Sequence, residues 1–411
     1  MRKGLIKVAA LVLLAVLFAT PLSLVSCGEE ETGETKITFG FLYDLTGRAS
    51  FGVKQMYNGL QDYLRMTEEK DPIPGAKIEI ITYDTQSDSG RVPVGYMWLK
   101  GKGAVMMSAS PPDTILLRHR LEADNIPFLG GANMFPLLDC DLYACLYGPA
   151  ESQVEILLRW IMDTWDYGLR KPKVGAVSLA GVLFYEGQVD MVESMCKDFP
   201  DKFDWMGAQM APATTTSWAV EVGRLLDCDF IVVCLSGPPL ASFTKEARNR
   251  GYNNRLIGGS DSFISFWDLV KGSVAPEGLD GIVTSLLIPW WDEDVAFIRE
   301  LKEYTQKYHT PAEVEAAYLS TGHISGWGYG MLLVDTVRRA VEEVGAANVD
   351  GPTLCKALHE TDLAVEGFGN RLRLTEEVNH FSQVARVLEY RATEDKWVPI
   401  SDWYQPVRLG D

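Results

Sequence analysis

The chain has 411 residues, and 56 acidic against 38 basic side chains give it a formal net charge of −18. A surface this acidic repels phosphate backbones and argues against nucleic acid as a partner. The chain is also longer than one hydrophobic core usually serves, so two lobes are predicted.

The first 26 residues have the order of parts that is typical of a secretory signal peptide. Three basic side chains precede the apolar run AALVLLAVLFA, which is too short for a comfortable membrane span. The stretch LVSC then ends at Cys27 and resembles the lipobox of bacterial lipoproteins, in which the signal is cleaved before a cysteine that carries lipid. We therefore predict a signal peptide over 1–26 and lipidation of Cys27. The alternative is an ordinary signal peptide with an incidental cysteine.

The segment that follows, residues 27–35, is acidic and polar, so it is predicted to be a tether that does not fold alone. Removal of the signal takes away three positive charges and changes the net charge from −18 to −21. No later stretch has about 18 unbroken apolar residues, so a lipid anchor is the only membrane contact expected.

Strand-like and helical stretches alternate in the first part of the body. KITFGFLY at 36–43 is typical of a buried strand, and the next segment spaces Val53, Met56 and Leu60 along one face of a helix. Three more strands are predicted, in KIEIITYD at 77–84, AVMMSAS at 104–110 and IPFLGG at 126–131. This repetition predicts a parallel sheet with helices on both faces.

The same rhythm begins again after Gly148 and Pro149. Strands are predicted in KVGAVSLA at 173–180, DFIVVCLSG at 229–237 and RLIGGSD at 255–261, with helices between them. Two such runs predict an α/β fold of two doubly wound parallel-sheet lobes. The rest of the chain returns to complete both lobes, and ARVLEYR and KWVPI predict a closing hairpin.

Sequence motifs for catalysis, metals and cofactors are absent. The five histidines form no HExxH pair and none is near a CxxC; GHISG and GWGYG each miss the spacing of the motif they approach. We predict no enzyme, no cofactor and no metal site, although a site assembled from distant residues stays open.

Six cysteines remain if Cys27 carries lipid. Cys140 and Cys145 share the short segment DCDLYAC and are the candidate disulfide of an exported chain. Cys228 and Cys234 flank a strand about 20 Å long, which is too far to bond, so they are predicted to be small buried residues.

Segments along most of the mature chain resemble extracellular solute-binding proteins of the branched-chain amino-acid type, in the large type I periplasmic class. The resemblance is carried by FGFLYDLTGRASFG at 39–52, PGAKIEIITYDTQSD at 74–88, SASPPD at 108–113, NIPFLGGAN at 125–133, FYEG at 184–187, KEARNRGYNNRLIGGSD at 245–261 and GLDGIV at 278–283. It implies two lobes joined by three hinge crossings with ligand between them. The expected lobes are 36–149 plus 284–386, and 150–283 plus 387–411.

Candidate ligand-binding residues follow from that fold, because ligands of open parallel sheets lie beyond the carboxyl ends of the strands. Ser108 and Ser110 end the third strand, where hydroxyls and nearby amides could bind a carboxylate. Ala132 and Asn133 follow the fourth strand. Amino-acid binders of the family resemble SxAT here, whereas this chain has GGANMF, so the usual α-amino-acid ligand is in doubt.

Three candidates come from the second lobe and the hinge. Tyr185 matches the family tyrosine that helps to close over ligand, and Asp261 lies near the family acidic residue that pairs with a ligand ammonium. Trp290 follows a predicted crossing strand and could form a wall of the pocket. The alternatives are a core tyrosine, a helix N-cap and a core tryptophan.

The resemblance implies an exported, periplasmic or cell-surface lipoprotein that acts as a monomer. It would capture an amino acid, or a related amide or carboxylate, and deliver it to the permease of an ABC importer. A sensory receptor that signals to a membrane partner is the alternative, and a surface hydrolase with an unusual site is a third.

Overall fold

The computed structural model of the protein describes residues 34–375 and 378–407. The predicted signal peptide, Cys27 and the tether up to residue 33 lie outside these ranges. Thr35, the last residue of the predicted tether, already belongs to the first strand. Over the described ranges, every helix is too short or too polar to cross a membrane.

The described strands form two large sheets and one small one. Their bounds are β1 Thr35–Tyr43, β2 Ala76–Asp84, β3 Met106–Ala109, β4 Phe128–Gly130, β5 Tyr143–Tyr147, β6 Lys173–Leu179, β7 Asp204–Ala211, β8 Phe230–Cys234, β9 Arg255–Gly258, β10 Val283–Leu286, β11 Asp362–Leu363, β12 Leu372–Arg373, β13 His380–Ser382, β14 Arg386–Arg391 and β15 Lys396–Pro399.

The α-helices lie between these strands, mostly in strand–helix alternation. Their bounds are α1 Ser50–Lys70, α2 Val92–Gly101, α3 Pro111–Asp124, α4 Ala150–Thr164, α5 Leu183–Asp198, α6 Ala219–Leu225, α7 Gly237–Asn249, α8 Trp267–Lys271, α9 Pro276–Leu279, α10 Ala296–Tyr308, α11 Pro311–Tyr318, α12 Thr321–Val344 and α13 Gly351–His359.

Both large sheets have the predicted architecture. The first has the order β13-β5-β4-β3-β1-β2 and is parallel throughout. The second has the order β15-β14-β10-β9-β8-β6-β7, in which only the pairs made by β14 are antiparallel. The predicted doubly wound α/β fold and the closing hairpin β14–β15 are therefore confirmed, with strand bounds that differ by a few residues.

The chain passes between the two sheets three times: from β5 to β6, from β10 to β13, and from β13 to β14. The strand pairing differs from the predicted lobe ranges at two crossings, and at one of them the difference is only Arg386, which is predicted for the first lobe but begins β14 of the second sheet. Residues 284–286 are predicted to belong to the first lobe, but β10 pairs with β9 and β14 in the second sheet. The physical reason is that no glycine or proline interrupts IVTSLLI before Pro289 and that Val283–Leu286 are all buried, so the strand continues past residue 283.

Helices α1 and α12 approach each other backbone to backbone. A Cβ atom on Gly59 would lie 2.1 Å from the carbonyl oxygen of His323, and one on Gly326 would lie 1.9 Å from that of Met56. Gly326 is the first glycine of GWGYG, so that motif serves close helix packing. The contact fixes α1 and α12 against each other beside the first sheet.

We expect Gly326→Ala to lower the free energy of unfolding by about 3 kcal/mol, because no side chain can move to make room for a methyl group against backbone. Urea unfolding followed by circular dichroism measures the change. The matched control is Gly223→Ala in α6, where a new methyl group would have nothing within 4 Å. This control should gain about 0.5–1 kcal/mol from helix propensity, and equal effects of the two changes would contradict the packing argument.

Candidate functional site

A cleft of about 190 Å³ lies between the two sheets, at the carboxyl ends of their strands. The first-sheet side supplies residues from strand ends and helix starts: Tyr43, Gly52, Val53, Met56, Ser110, Ala132, Tyr147 and Ser325 among them. The second-sheet side supplies Phe184, Asp261, Ser262, Ser265 and Phe266. The cleft therefore occupies the position where this class of sheet places ligands.

The wall at β1 and β3 is closed by a hydrogen-bonded pair. The Tyr43 hydroxyl donates to the carbonyl of Ala109 at 2.9 Å, so the Ser108 hydroxyl, also at 2.9 Å, donates to the Tyr43 oxygen. Burial raises the pKa of Tyr43 well above its usual value. Ser108 is buried behind Tyr43 and does not line the cleft. The structure therefore does not place the candidate Ser108 in the lining of the cleft.

The start of α3 is unsuited to a carboxylate. Ser110 lines the cleft, but its hydroxyl donates to Asp113 at 2.7 Å. The first two helical residues, Pro111 and Pro112, have no backbone N–H to offer an anion. Asp113 adds negative charge close by, and burial raises its pKa. The predicted anion site therefore lacks most of its donors, because the Ser110 hydroxyl is already bonded and the two prolines have no N–H, and the nearby Asp113 charge opposes an anion.

The loop after β4 brings only one of its two candidates to the cleft. Ala132 lines the cleft. The Asn133 side chain is fully buried and points away: its amide donates to Asn379 at 2.7 Å, and its oxygen accepts from the Met134 amide at 2.9 Å. Asn133 therefore ties this loop to the chain before β13 and offers no group to a ligand.

Asp261 is the charged group of the cleft. The residue is only 7% exposed, and its carboxyl accepts from the Gln153 amide at 3.2 Å, while its own backbone N–H donates to Gln153 at 2.8 Å. Burial raises its pKa to about 6, against the lowering effect of the Gln153 bond. None of the described residues lining the cleft is a lysine, arginine or histidine, so this carboxyl faces the cleft without a cationic partner.

Tyr185 and Trp290 both lie outside the cleft lining. The Tyr185 hydroxyl bonds to Ser236, and the neighbouring ring of Phe184 faces the cleft in its place. Trp290 is buried, and its backbone N–H donates to Glu293 at 2.5 Å. A one-position shift along α5 turns a side chain by about 100°, which is why the sequence pattern points to the neighbour.

Several lining residues carry no clear signal in the sequence. Ser325 is the serine of GHISG and bonds to the Tyr147 hydroxyl. Ser265 bonds to Thr321 at the start of α12, and the ring of Phe266 lies 3.4 Å from the position that a Cβ atom on Gly52 would occupy. The one available signal is GHISG, which misses the spacing of a nucleophile motif and instead supplies a lining hydroxyl. The contacts of Ser265 and Phe266 join the second-sheet side to α1 and α12.

A larger cavity of about 580 Å³ lies along α5 and contains the carboxyl groups of Glu151, Glu186, Asp190 and Asp198. Burial raises the pKa of Glu151 to about 7. This cavity is lined by α5, by Glu151 at the start of α4 and by the loop after β4, and none of its lining residues belongs to a strand. The smaller cleft is therefore the better candidate for a ligand that both lobes enclose.

A family model described as periplasmic binding protein matches residues 36–395. The chain belongs to this family. The binding-protein fold is equally clear in solved structures, although no curated protein matches the chain.

Three solved structures illustrate the similarity in fold. A branched-chain amino-acid ABC transporter protein from Thermus thermophilus, with bound valine, has a TM-score of 0.77 at 16% identity, over 92% of this chain and 98% of that one. A fatty acid ABC transporter substrate-binding protein from Thermomonospora curvata has a TM-score of 0.75 at 19% identity, over 92% and 94%. A possible leucine/isoleucine/valine-binding protein from Rhodopirellula baltica SH 1 has 0.71 at 16%, over 90% and 97%.

The cysteines of this binding protein are all free in the described part of the chain, so the candidate disulfide between Cys140 and Cys145 is not formed. Cys145 lies inside β5, and its thiol donates to the carbonyl of Tyr147 at 2.8 Å. Cys140 is buried before the strand. Cys228 and Cys234 are buried free thiols as well.

We expect the stability of the binding protein to depend on pH through Asp261. A carboxyl whose pKa is raised on folding stabilises the fold below its unfolded value of 3.8, and this contribution is lost as the pH rises through about 6. Asp261→Asn should remove about 2 kcal/mol of pH dependence in the free energy of unfolding between about pH 4 and pH 7. Urea unfolding at both pH values tests this.

The control is Asp201→Asn, because the Asp201 side chain is 73% exposed. This change should leave the pH dependence as it is in the parent protein. Equal pH profiles of Asp261→Asn and Asp201→Asn would contradict this role of Asp261.

Proposed function

We propose that the protein captures a small molecule in the cleft between its lobes and delivers it to the permease of an ABC importer. The observation that carries this proposal is a cleft at the strand ends that both sheets line, in a chain of the periplasmic binding protein family. Two of the similar structures named above are ABC transporter proteins, one with bound valine and one for fatty acids. Family membership also implies an exported location.

The mechanism is lobe closure. A ligand that touches Tyr43 and Val53 on one side and Phe184 and Phe266 on the other gains all its contacts only when the lobes are together. It therefore binds the closed form better and shifts the population toward it. The bond between Ser265, on the second-sheet side, and Thr321, at the start of α12, would help to hold the closed form.

The chemistry of the lining narrows the ligand class that the sequence analysis left open. The lining is mostly aromatic and aliphatic, and it has hydroxyls but no cationic side chain among its described residues. The prolines of α3 and the Ser110–Asp113 bond take away the expected carboxylate contacts. We infer a ligand with an apolar body that is neutral or carries an ammonium group toward Asp261, because a buried carboxylate on the ligand would have no counter-charge.

A matched set of three small molecules tests this inference: isopentylamine, isovaleramide and isovalerate share one branched apolar body and differ in the polar group. Thermal shift and calorimetry should detect the amine and the amide but not isovalerate. Asp261→Asn should weaken the amine by about tenfold or more and leave the amide nearly unchanged. Retained amide binding shows that the variant is folded.

Phe266→Ala should weaken both amine and amide, since it removes the apolar contact between the lobes, whereas Trp290→Phe should change neither. Small-angle scattering should show a smaller radius of gyration with bound ligand. Preferential binding of isovalerate, or an amine affinity that Asp261→Asn leaves unchanged, would be incompatible with the proposed ligand class.

We also propose that Cys27 carries lipid and anchors the protein, which acts as a monomer. The support is the order of basic residues, apolar run and LVSC in the sequence. Acyl chains bury apolar methylenes in detergent or bilayer at roughly 0.8 kcal/mol each. The protein made in a lipoprotein-processing host should therefore partition into the detergent-rich phase of a phase-separating detergent.

Cys27→Ser should move the protein to the aqueous phase, because no thiol remains to be acylated. Cys355→Ser, which alters the one half-buried thiol among the described cysteines, should stay with the detergent like the parent. Equal partition of the two variants would show that Cys27 is not the anchor.

A further inference from the structure

Three side chains from distant parts of the sequence converge inside the first lobe. Asp62 lies on α1, His309 directly follows α10, and His323 lies on α12. The Asp62 Oδ2 atom is 2.8 Å from His309 Nε2 and 3.0 Å from His323 Nε2. One ligand atom from each residue lies within 4.8 Å of the other two. The side chains are 6%, 15% and 1% exposed, respectively.

The far nitrogen of each imidazole faces a second oxygen. His323 Nδ1 is 3.4 Å from Gln55 Oε1, and His309 Nδ1 is 3.9 Å from Glu313 Oε2. Glu313 is itself held by bonds from the Thr310 amide and hydroxyl at 2.8 and 2.7 Å. Metal-binding histidines commonly have this arrangement, in which an outer oxygen takes the Nδ1 proton and turns the Nε2 lone pair inward.

The geometry points to a binding site for one divalent transition-metal ion, zinc in the first place, held by Asp62 Oδ2, His309 Nε2 and His323 Nε2. Two imidazoles and one carboxylate are a zinc ligand set that leaves one position for water. The same set also suits other first-row divalent ions. His309 is the most exposed of the three residues, and its edge provides the route for the ion and the water.

A metal ion would satisfy the three inward-facing ligand atoms at once. The Thr305 hydroxyl, which donates to the Leu301 carbonyl, lies 3.2 Å from His323 Nε2 and would accept from that nitrogen only in the metal-free state. With Nδ1–H on both rings, Gln55 Oε1 accepts from His323 and Glu313 Oε2 lies opposite the N–H of His309. Two nitrogen lone pairs and a carboxylate oxygen then meet at one point, where only a cation is stable. If instead both rings donate Nε2–H to Asp62, a neutral ring turns its Nδ1 lone pair toward Gln55 Oε1 or Glu313 Oε2. That hydrogen-bonded triad without metal is the competing outcome of the test.

The site would act on the same helices that form the cleft. Met56 on α1 and Ser325 on α12 line the cleft, and they lie within two turns of Asp62 and His323 on the same helices. An ion that joins α1, α12 and the end of α10 would stiffen this wall. The inference does not rest on the proposed ligand or on transport, because it concerns a different set of side chains.

Cobalt substitution is the direct experiment. The mature chain without a histidine tag is stripped with a chelator, and Co²⁺ is added while the visible spectrum is followed. We expect ligand-field bands that saturate at one ion per chain and disappear when Zn²⁺ is added. Elemental analysis after Zn²⁺ loading and gel filtration should give the same stoichiometry, and Zn²⁺ should raise Tm relative to the stripped protein.

His309→Gln is the informative variant, since His309 is partly exposed and its loss should leave the fold intact. It should weaken Co²⁺ and Zn²⁺ binding by tenfold or more. His119→Gln is the matched control, because its ring is 99% exposed and distant in sequence from the cluster. The control should bind one ion with unchanged affinity.

Two outcomes would overturn the site. One is a parent protein that is folded by circular dichroism and yet gives no saturable cobalt spectrum, and the other is equal metal affinity of His309→Gln and His119→Gln. Either result would assign the cluster to a hydrogen-bonded triad. If His309→Gln does not fold, the cobalt spectrum and stoichiometry of the parent protein still decide.

Discussion

The close approach of α1 to α12 is the constraint on which most of the first lobe depends. Gly59 and Gly326 let the two backbones touch, with no space for a methyl group at either position. This contact fixes the positions of Met56 and Ser325 on the wall of the cleft. It also brings Asp62 and His323 to hydrogen-bonding distance. One glycine-mediated contact therefore determines both a cleft wall and a polar cluster in the core.

Sequence patterns were sufficient for the architecture and insufficient for most of the site. Strand–helix alternation predicts both sheets, because buried parallel strands need continuous apolar runs and their helices need one apolar face. Ser110 and Ala132 were also found, because one ends and the other directly follows a predicted strand, and Asp261 was found through its place near the acidic residue of the resembling family. Tyr185 and Phe184 differ by one position, and only the start of α5 decides which ring faces the cleft. A single sequence does not fix the residue at which the helix begins, so it does not show which of two adjacent side chains faces the cleft.

The histidines show a second limit of sequence reading. Asp62 precedes His309 and His323 by more than two hundred positions, so no spacing motif could bring them together. Asp62 and His323 meet through the glycine contact between α1 and α12, and the end of α10 adds His309. The motif GWGYG could be interpreted only after that contact was known. A sequence motif can identify metal ligands that lie on one helix or one loop. Ligands that come from different helices can be recognised only once the fold is known.

Asp261 connects the burial of the cleft with the choice of ligand. Other polar groups nearby are satisfied within the protein, as Ser110 is by Asp113, so a ligand that displaced such a bond would gain little. Asp261 is bonded to the neutral amide of Gln153, and burial raises its pKa to about 6. When it is protonated, this carboxyl is neutral and can lie against an apolar part of the ligand. An ammonium group supplies the counter-charge that Gln153 cannot. The same side chain thus accommodates a neutral ligand or selects a cationic one. A second negative charge in the cleft would be repelled by Asp261 and would lose its hydration without gaining a counter-charge.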